Sequence, residues 1–452
     1  MGSWGKIFNI KNKAFIIPFI PLIAMVIILL LRPYYIFPVG PDADFHLARA
    51  REILQNPFYG IFWDYITYYP TGRPIWHQPL FHIVYAFWWY VGGVRFAHSI
   101  MCVTQILLTM GVASWIANKE YGVIAGFFAG IFSLVCPLYY TLLIALPAAY
   151  TPIFAVLAIY YIPKDKKKAF IASLLGLWTH MVALASFIPL FLVDNYRDRT
   201  NQKIIALLLP SWLFLMGYWI YFRNNLVTGG LWYTFQHLKI FYIDFYGIYS
   251  FFLLYLLGII GLFLVYRINR KQFNLMITYI ISIIIISFFG FNGDFLRGFQ
   301  FAALPLAIVA GLTVQKFYEY TLKNRGKIYA YFVILVFLML SIFGTMGVMI
   351  NITPHGWEEL KIPFEGKYAP LKEYILTTTT DDEIIWAQND LTEKVAWMTG
   401  RKISNGRYPD GEYGATRGFI DKKQDINIYR QDNTIFIKDG DNNTLKQFTI
   451  SF

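Results

Sequence analysis

Long apolar stretches recur along most of this chain, separated by short polar segments. Runs of about 18 residues or more have the length that an α-helix needs to cross the hydrocarbon core of a bilayer. The pieces at 168–180 and 181–193 are shorter, and they fit either a broken hairpin or a single span. The pattern predicts about eleven transmembrane helices, at about 14–31, 97–117, 123–140, 148–163, 168–180, 181–193, 204–222, 248–266, 273–290, 298–314 and 328–350.

Basic residues concentrate in alternate connections between these stretches. An excess of Lys and Arg marks the cytoplasmic side of a membrane protein. The pattern predicts a multi-pass protein of the cell membrane, with a cytoplasmic N-terminus and an external C-terminal region. The basic residues assigned to the inside are Lys6, Lys11, Lys13, Lys164, Lys166, Lys167, Lys168, Arg197, Arg199, Lys203, Arg267, Arg270, Lys271, Lys323, Arg325 and Lys327.

Composition agrees with a membrane protein, since 57% of the 452 residues are hydrophobic and only 15% are charged. A soluble domain carries roughly 25% charged residues. The net charge of +12 follows the inside-outside pattern of the spans, so we expect membrane lipid and no nucleic acid as a partner. The two cysteines, Cys102 and Cys136, lie in apolar stretches, which indicates neither a disulfide framework nor a cysteine metal site.

The polar regions predict an external face with one long loop and one small domain. In the first loop, 32–96, two apolar-periodic pieces at 44–55 and 79–91 are typical of helices lying on the membrane. From 351 to 452 the chain becomes rich in charged, Gly, Asn and Asp residues. Apolar alternation on either side of the turn Asp439–Asn443 predicts a hairpin with strands at 434–438 and 448–452. The fold class is therefore an all-α polytopic membrane domain, 1–350, followed by a small external α/β domain, 351–452.

The first candidate site lies at 40–49, just after the first apolar stretch. Asp42, Asp44, His46 and Arg49 are crowded there. Acidic groups at a membrane face are costly unless they bind a cation, pair with one, or carry proton chemistry. Asp42 and His46 stand at i and i+4, so a helix would place them on one face, where they could hold a divalent cation or position a base. For Asp44 the alternative is a helix-capping residue, and a lone His46 would more often be structural.

Residues 40–80 resemble the first external loop of oligosaccharyltransferase catalytic subunits of the archaeal type, within the GT-C glycosyltransferase superfamily. In that family the first Asp is catalytic, which implies this role for Asp42, with His46 beside it. The matching positions are Asp42, Phe45, His46 and Arg49 (the Arg displaced by one position), the Tyr-Pro turn in Tyr68–Gly72, and the Pro-Leu-Phe in Gln78–Phe81.

A second similarity lies at the predicted tenth span. Arg297–Pro305 is similar to the family's late span that opens with an Arg, which contacts the phosphate of the lipid-linked donor. An Arg at the outer end of a span suits bidentate phosphate binding, although it could also be an ordinary interfacial side chain. Arg49 and His180 are the further candidates for the donor phosphate. A packed, structural histidine is the alternative for His180.

Two departures from the family change the expectation. The second acidic motif should lie near 143–150, where this chain has no carboxylate, and the Trp-Trp-Asp-Tyr-Gly acceptor motif is missing. These losses favour the GT-C enzymes that use lipid-monophosphate sugars, in which an Asp is the general base and no metal is needed. If a metal is used, Mg²⁺ or Mn²⁺ with Asp42 and Asp44 as ligands is the candidate. Asp244 and Asp294 are the further external acids to test, and a solvated charge is the alternative for each.

The leading hypothesis is a membrane glycosyltransferase that moves a sugar from a dolichyl- or polyprenyl-phosphate carrier to a glycan or protein acceptor on the outer face. The first alternative is a reduced, metal-dependent oligosaccharyltransferase that moves a lipid-linked oligosaccharide to Asn. A non-catalytic glycosylation subunit and a lipid-linked sugar transporter are two further hypotheses. Transport is disfavoured because the spans carry few charges at their centres and the acids lie at the external face.

Overall fold

The computed structural model describes most of the chain as helix, with a small sheet near the C-terminus. The helices of the first half begin with α1, which follows a 3₁₀ turn at Ile17–Phe19. The described residues are 16–31, 41–70, 72–75, 77–134, 145–183, 186–223, 245–290, 295–352, 365–388, 391–405, 425–431 and 434–449. These helices are α1 (Ile20–Leu31), α2 (Pro41–Gln55), α3 (Leu80–Tyr121), α4 (Val123–Phe132), α5 (Pro147–Tyr161), α6 (Lys166–Thr179) and α7 (Phe187–Asn195).

The second half of the helical part has longer helices. Helix α6 is followed by a 3₁₀ turn at Met181–Ala183 before α7 begins, so the chain at 168–193 is broken, as one of the two sequence interpretations had it. The remaining helices of this part are α8 (Arg199–Arg223), α9 (Phe245–Ile268), α10 (Arg270–Gly290), α11 (Phe295–Arg325) and α12 (Lys327–Ile352).

Three of the described helices are long and apolar enough to cross a membrane. They are Leu80–Tyr121, Gly298–Arg325 and Lys327–Thr345. The multi-pass helical class is therefore supported, while the predicted number of about eleven spans and the orientation of the termini stay predictions.

Helix α3 consists of two helical parts, which agree with the pieces predicted separately at 79–91 and 97–117 and are joined in a run of 42 residues. They meet at Gly93, whose φ of 81° and ψ of 171° interrupt the helix. Because a positive φ is strained for residues with a side chain, glycine lets the two helical parts join without a loop. Tyr85 and His98 tie the parts together across this break, with 2.6 Å between the Tyr85 hydroxyl and His98 Nδ1.

Helix α11 forms the centre of the helical part, packed against α4, α9, α10 and α12. From Phe301 to Val314 almost every side chain is buried. Glycines bring its neighbours close. A Cβ on Gly261 of α9 would overlap the carbonyl oxygen of Val309, and one on Gly311 would overlap the carbonyl oxygen of Ala125 in α4. Small residues at such crossings let helix backbones approach closely.

The C-terminal part contains two helices, α13 (Ala369–Thr378) and α14 (Thr392–Thr399), and a five-stranded sheet. A separate two-stranded ribbon, β1 (Trp63–Asp64) with β2 (Arg73–Pro74), lies in the first loop. The sheet has the order β4-β3-β5-β6-β7, with β3 parallel to β4 and β5, and the last three strands antiparallel. Its strands are β3 (Ile384–Ala387), β4 (Lys402–Ile403), β5 (Ile426–Gln431), β6 (Thr434–Asp439) and β7 (Thr444–Thr449).

The terminal hairpin forms where the sequence predicted a turn, but its second strand begins four residues earlier than expected. The turn is tight, because the Asp439 side chain accepts hydrogen bonds from the backbone N–H of Asp441 and of Asn443. Asn442 adopts a left-handed φ of 65°, which Asn tolerates better than most residues. Residues 450–452, part of the predicted strand, lie outside the described residues.

We expect the close contact between α9 and α11 to be sensitive to a single methyl group. Gly261→Ala should lower the free energy of unfolding by about 1–3 kcal/mol, the range for overpacking, because its Cβ meets the Val309 backbone. Gly217→Ala is the matched control, since a Cβ there has no heavy atom within 4 Å. The control should be neutral or stabilising by up to about 1 kcal/mol. Thermal unfolding of the two purified variants in detergent measures the difference, and equal midpoints would contradict this packing.

Candidate functional site

Helix α2 carries the predicted catalytic residues into the protein interior. Pro41 lies at its start, where its fixed φ and missing N–H suit the first turn of a helix. Asp42 follows in the first turn and is partly exposed. From Ala43 to Ala50 every side chain is buried. Asp42 is therefore the acid of this helix that lies at the protein surface.

Asp44 contacts the described C-terminal part of the chain, which we call the external domain after its predicted location. Its Oδ1 accepts a hydrogen bond of 2.8 Å from the indole Nε1 of Trp397, and the ammonium of Lys394 lies 2.8 Å from the carboxylate. The Trp397 side chain is only 1% exposed. Asp44 thus links α2 to α14, and both of its donors come from the external domain. Its carboxylate is engaged by these donors, which gives no support to the prediction that it binds a metal.

Arg51 makes a second connection between the same two helices. Its guanidinium donates hydrogen bonds to the carbonyl oxygens of Trp397, Met398 and Thr399, at 2.9, 3.4 and 3.2 Å. These carbonyls belong to the last turn of α14, where helix carbonyl groups lack intrahelical partners and a cation is favourable. The helix then ends at Gly400, which has a φ of 70°.

A third connection joins the first loop to the sheet through the backbone. The Ile403 N–H donates to the Ile66 carbonyl at 2.7 Å, and the Tyr69 N–H donates to the Ile403 carbonyl at 2.9 Å. Residues 66–69 therefore lie beside β4 as an additional edge of the external sheet. The Lys402 ammonium also lies 4.8 Å from the ring centroid of Tyr69.

Arg49 is buried, and it pairs inside the protein rather than facing a donor. Its side chain is 1% exposed and forms an ion pair with Asp64 of β1, which is fully buried. Asp64 also accepts hydrogen bonds from the Thr67 backbone N–H and hydroxyl. The prediction that Arg49 binds donor phosphate receives no support from this position, since its charge is engaged by Asp64.

Glu52 adds a second acid to the same buried network. Its carboxylate accepts hydrogen bonds from the Asn56 side chain at 2.7 Å and from the Ile66 N–H at 2.8 Å. Burial, and then the nearby charge of Asp64, raise the pKa of Glu52 to about 7, against the opposing effect of Arg49. With Glu52 protonated, the network holds one guanidinium and one carboxylate and is close to neutral.

Four histidines lie close together in the folded chain, and one of them, His46, belongs to α2 itself. His46 Nδ1 and His82 Nε2 share a hydrogen bond of 2.8 Å. The His77 ring centroid lies 5.3 Å from that of His46, 6.0 Å from that of His82 and 6.2 Å from that of His180. The His180 ring in turn lies 5.8 Å from Phe301 of α11. We call His46, His77, His82 and His180 the histidine cluster.

The histidine cluster is uncharged at its centre. Burial, followed by the neighbouring histidines and Arg49, holds the pKa of His46 and of His77 well below the usual range. The Nδ1 of His180 accepts a hydrogen bond from the Val182 N–H at 3.2 Å, so a neutral His180 carries its proton on Nε2. Among the described residues, no three His, Cys, Asp or Glu side chains are arranged to hold a metal ion.

The structure brings together only part of the predicted site. His46 and His180 meet in the histidine cluster, while Arg297 lies in the first turn of α11, four residues before Phe301. Asp244 and Asp294 lie outside the described residues. The roles of Asp42, His46, Arg297 and His180 stay predictions. Sequence reasoning missed Asp64, Glu52, His82, Lys394 and Trp397.

A signal existed for one of the missed residues. His82 follows His77 by five residues and stands directly after Gln78–Phe81, the segment already matched to the family's loop. Asp64 stands between Trp63 and Tyr65 in what the sequence indicated to be an external loop, where an acid is expected to be solvated. Nothing in the sequence connects Trp397 with Asp44, which is 353 residues away.

Comparison with known proteins finds similar folds among solved structures. No protein-family model and no curated protein sequence matches the chain. Among solved structures, it is similar to the oligosaccharyltransferase AglB of Archaeoglobus fulgidus, solved with an inhibitory peptide and a dolichol-phosphate. That match has a TM-score of 0.61 and 12% identity, and it covers 90% of this chain and 65% of the AglB chain. A structure of the same enzyme tethered to an acceptor peptide with the NVT sequon matches at a TM-score of 0.60 and 13% identity, with 89% and 65% coverage.

A second type of enzyme has the same fold. ArnT of Cupriavidus metallidurans, bound to undecaprenyl phosphate, matches at a TM-score of 0.52 and 15% identity, covering 89% of this chain and 86% of that one. AglB and ArnT are both GT-C glycosyltransferases. The resemblance to this superfamily is therefore confirmed at the level of fold, and the chain spans about two thirds of the AglB length.

The buried network predicts that Arg49 is required for stability. Arg49→Met should lower the free energy of unfolding by about 3–5 kcal/mol, because it leaves Asp64 buried without its cation. Lys168→Met removes a cation from an exposed pair, with 60% of the Lys168 side chain accessible, and should change stability by less than about 1 kcal/mol. Thermal unfolding compares the two, and equal effects would contradict a supporting role for the Arg49–Asp64 pair.

The raised pKa of Glu52 predicts a pH dependence with a defined sign. The folded protein retains a proton on Glu52 up to about pH 7, whereas the unfolded chain loses it near pH 4.5. Stability from this group is therefore largest below the unfolded pKa and falls as the pH rises toward 7. Glu52→Gln should match wild type at pH 4 and exceed it at pH 8 in thermal midpoint. A wild-type advantage that grows with pH would reverse the sign and contradict the shift.

Proposed function

We propose that this protein is a GT-C membrane glycosyltransferase that takes a sugar from a polyprenyl- or dolichyl-phosphate carrier and transfers it to a glycan or protein acceptor on the outer face. The fold supports this proposal, since the similar structures of AglB and ArnT were solved with dolichol-phosphate and undecaprenyl phosphate. The cell-membrane location, with the C-terminal domain outside, is part of the same proposal.

The observation that carries the proposal is the convergence beside α2 of residues from distant segments. His46, His77 and His180 come from three separate segments, and His180 contacts Phe301 of α11. Arg297 precedes Phe301 by one helical turn, and positions i and i+4 lie on the same side of a helix. A donor phosphate beside the histidine cluster would meet the Nε2–H of His180, and Arg297 is the proposed second phosphate-binding residue. Both groups suit a phosphate oxygen.

Asp42 has the position that a general base needs. It is the partly exposed acid in the first turn of α2, a helix whose next eight side chains are buried. The carboxylate takes the proton of the acceptor hydroxyl as the acceptor oxygen forms a bond to the anomeric carbon. The bond from that carbon to the phosphate oxygen breaks, and its electron pair leaves with the lipid phosphate. Arg297 and His180 stabilise the charge that develops on the phosphate.

One observation favours a second candidate, transfer of a lipid-linked oligosaccharide to Asn. The external domain is attached to the first loop through Asp44, Arg51 and residues 66–69. The AglB structure with a tethered acceptor peptide also matches more closely, at a TM-score of 0.60, than ArnT does at 0.52. This candidate needs a divalent cation, Mg²⁺ or Mn²⁺, whereas the leading proposal needs none, so a chelator separates the two.

Transfer activity should depend on Asp42. We expect Asp42→Asn to lower kcat for sugar release from a synthetic polyprenyl-phosphate sugar by about 10²–10⁴-fold, the usual contribution of a general base. The asparagine has almost the same shape but cannot accept the proton. The measurement uses purified protein in detergent with a candidate glycan or peptide acceptor, with and without chelator. Asp382→Asn, an exposed acid of the external domain, is the matched control and should retain activity.

Each outcome has a defined meaning. Turnover that needs Asp42 and survives the chelator supports the leading proposal. Turnover abolished by chelator and restored by Mn²⁺ supports transfer to Asn by the metal-dependent route. Full activity of Asp42→Asn would overturn the catalytic assignment of Asp42, whereas turnover by neither protein would favour a non-catalytic subunit or a transporter.

A further inference from the structure

The start of α2 is in contact with the external domain. The first four N–H groups of a helix have no intrahelical partner, so first turns fray unless side chains fix them. In α2 this turn carries Asp42, and two residues later the Asp44 side chain is held by tertiary contacts. Its two donors, Lys394 and Trp397, both belong to α14.

This contact is rigid for two physical reasons. The Trp397 side chain is 1% exposed and Asp44 is 6% exposed, so water competes poorly for the carboxylate. A hydrogen bond to a charged acceptor contributes more than one between neutral groups, about 1.5–3 kcal/mol. Arg51 then holds the other end of α14 against the same helix by bonding the carbonyls of Trp397 and Thr399. The helix α14 is thus fixed at both ends on α2.

We propose that Lys394 and Trp397 are positioning residues for Asp42, which they hold in reacting geometry by fixing Asp44 in the first turn of α2. This inference rests on the proposed function, since it assigns to the external domain a part in the same transfer reaction. Neither residue needs to touch donor or acceptor. Their effect passes through the backbone between Asp44 and Asp42.

The inference predicts a loss of rate without a loss of substrate affinity. Misplacing a reacting group by about 1 Å can lower a rate by about 10²-fold. We expect Trp397→Phe, which keeps an aromatic but smaller ring and removes the indole N–H, to lower kcat by about 10–100-fold. The KM for the lipid-phosphate sugar should change by less than about threefold, because the donor site is not altered. Lys394→Met should act in the same direction and more weakly, since the indole N–H remains.

A matched control separates positioning from general destabilisation of the external domain. Tyr374 of α13 packs on Phe448 of β7, with ring centroids 5.8 Å apart, and β7 is the edge strand of the sheet opposite β4. Tyr374→Leu should lower the thermal midpoint of the protein and leave kcat at the wild-type value. If Tyr374→Leu and Trp397→Phe lowered kcat equally at equal loss of stability, or if Trp397→Phe changed only KM, the positioning role would be overturned.

A second measurement does not depend on activity. The amide N–H groups of Phe45, His46 and Leu47 bond to the carbonyls of the first turn of α2, so their hydrogen exchange reports fraying there. Trp397→Phe should raise their exchange rates severalfold, while the end of the same helix, Ile53–Gln55, stays unchanged as internal reference. Unchanged exchange at Phe45–Leu47 would overturn the inference.

The two measurements distinguish failure of the proposed function from failure of the positioning inference. If wild-type protein released no sugar from any lipid-phosphate donor, the proposed function would fall, and faster exchange in Trp397→Phe would still establish the contact. If wild type were active and Trp397→Phe kept its kcat, the proposed function would stand and the positioning inference would fall.

Discussion

The burial of the Arg49 guanidinium is the constraint on which the packing of the first loop against α2 depends. Removing such an ion from water costs several kcal/mol unless a partner and further hydrogen bonds compensate. Here Asp64 supplies the partner, and Thr67 and Ile66 tie the surrounding acids to the backbone. The first loop must therefore fold back so that β1 reaches α2. This requirement explains why a segment with little regular structure has a defined path.

The same cation shapes the electrostatics of the histidine cluster. Burial is the largest cause of the lowered pKa of His46 and His77, and Arg49 adds to it. Neutral imidazoles can lie within about 5–6 Å of one another, where protonated ones would repel. The histidine cluster is therefore an uncharged, aromatic-lined region beside the buried ion pair. In the proposed reaction Arg297 is the residue that supplies positive charge for a donor phosphate.

The sequence predicted what depends on local pattern and missed what depends on contacts between distant segments. Apolar run lengths predicted the helical class, and the match at residues 40–49 found the helix that carries Asp42. The turn Asp439–Asn443 predicted the hairpin because its residue types favour tight turns. By contrast, Arg49 and Asp44 looked like site residues because charges near a membrane face are usually functional. Their partners, Asp64 and Trp397, become apparent only in the folded structure, because a charged residue in a sequence does not show whether it is paired inside the protein.

Ile66 shows how the membrane part and the external domain form one support for Asp42. Its N–H donates to Glu52 of α2, while its carbonyl accepts from Ile403 of β4. Ile66 thus joins Glu52 of α2 to β4, the edge strand of the external sheet. Asp44 makes the corresponding connection at the start of the same helix. A domain of about 100 residues is small for recognising an acceptor by itself, but it is large enough to hold α2 at two points. Its contribution to catalysis would then be the geometry of Asp42.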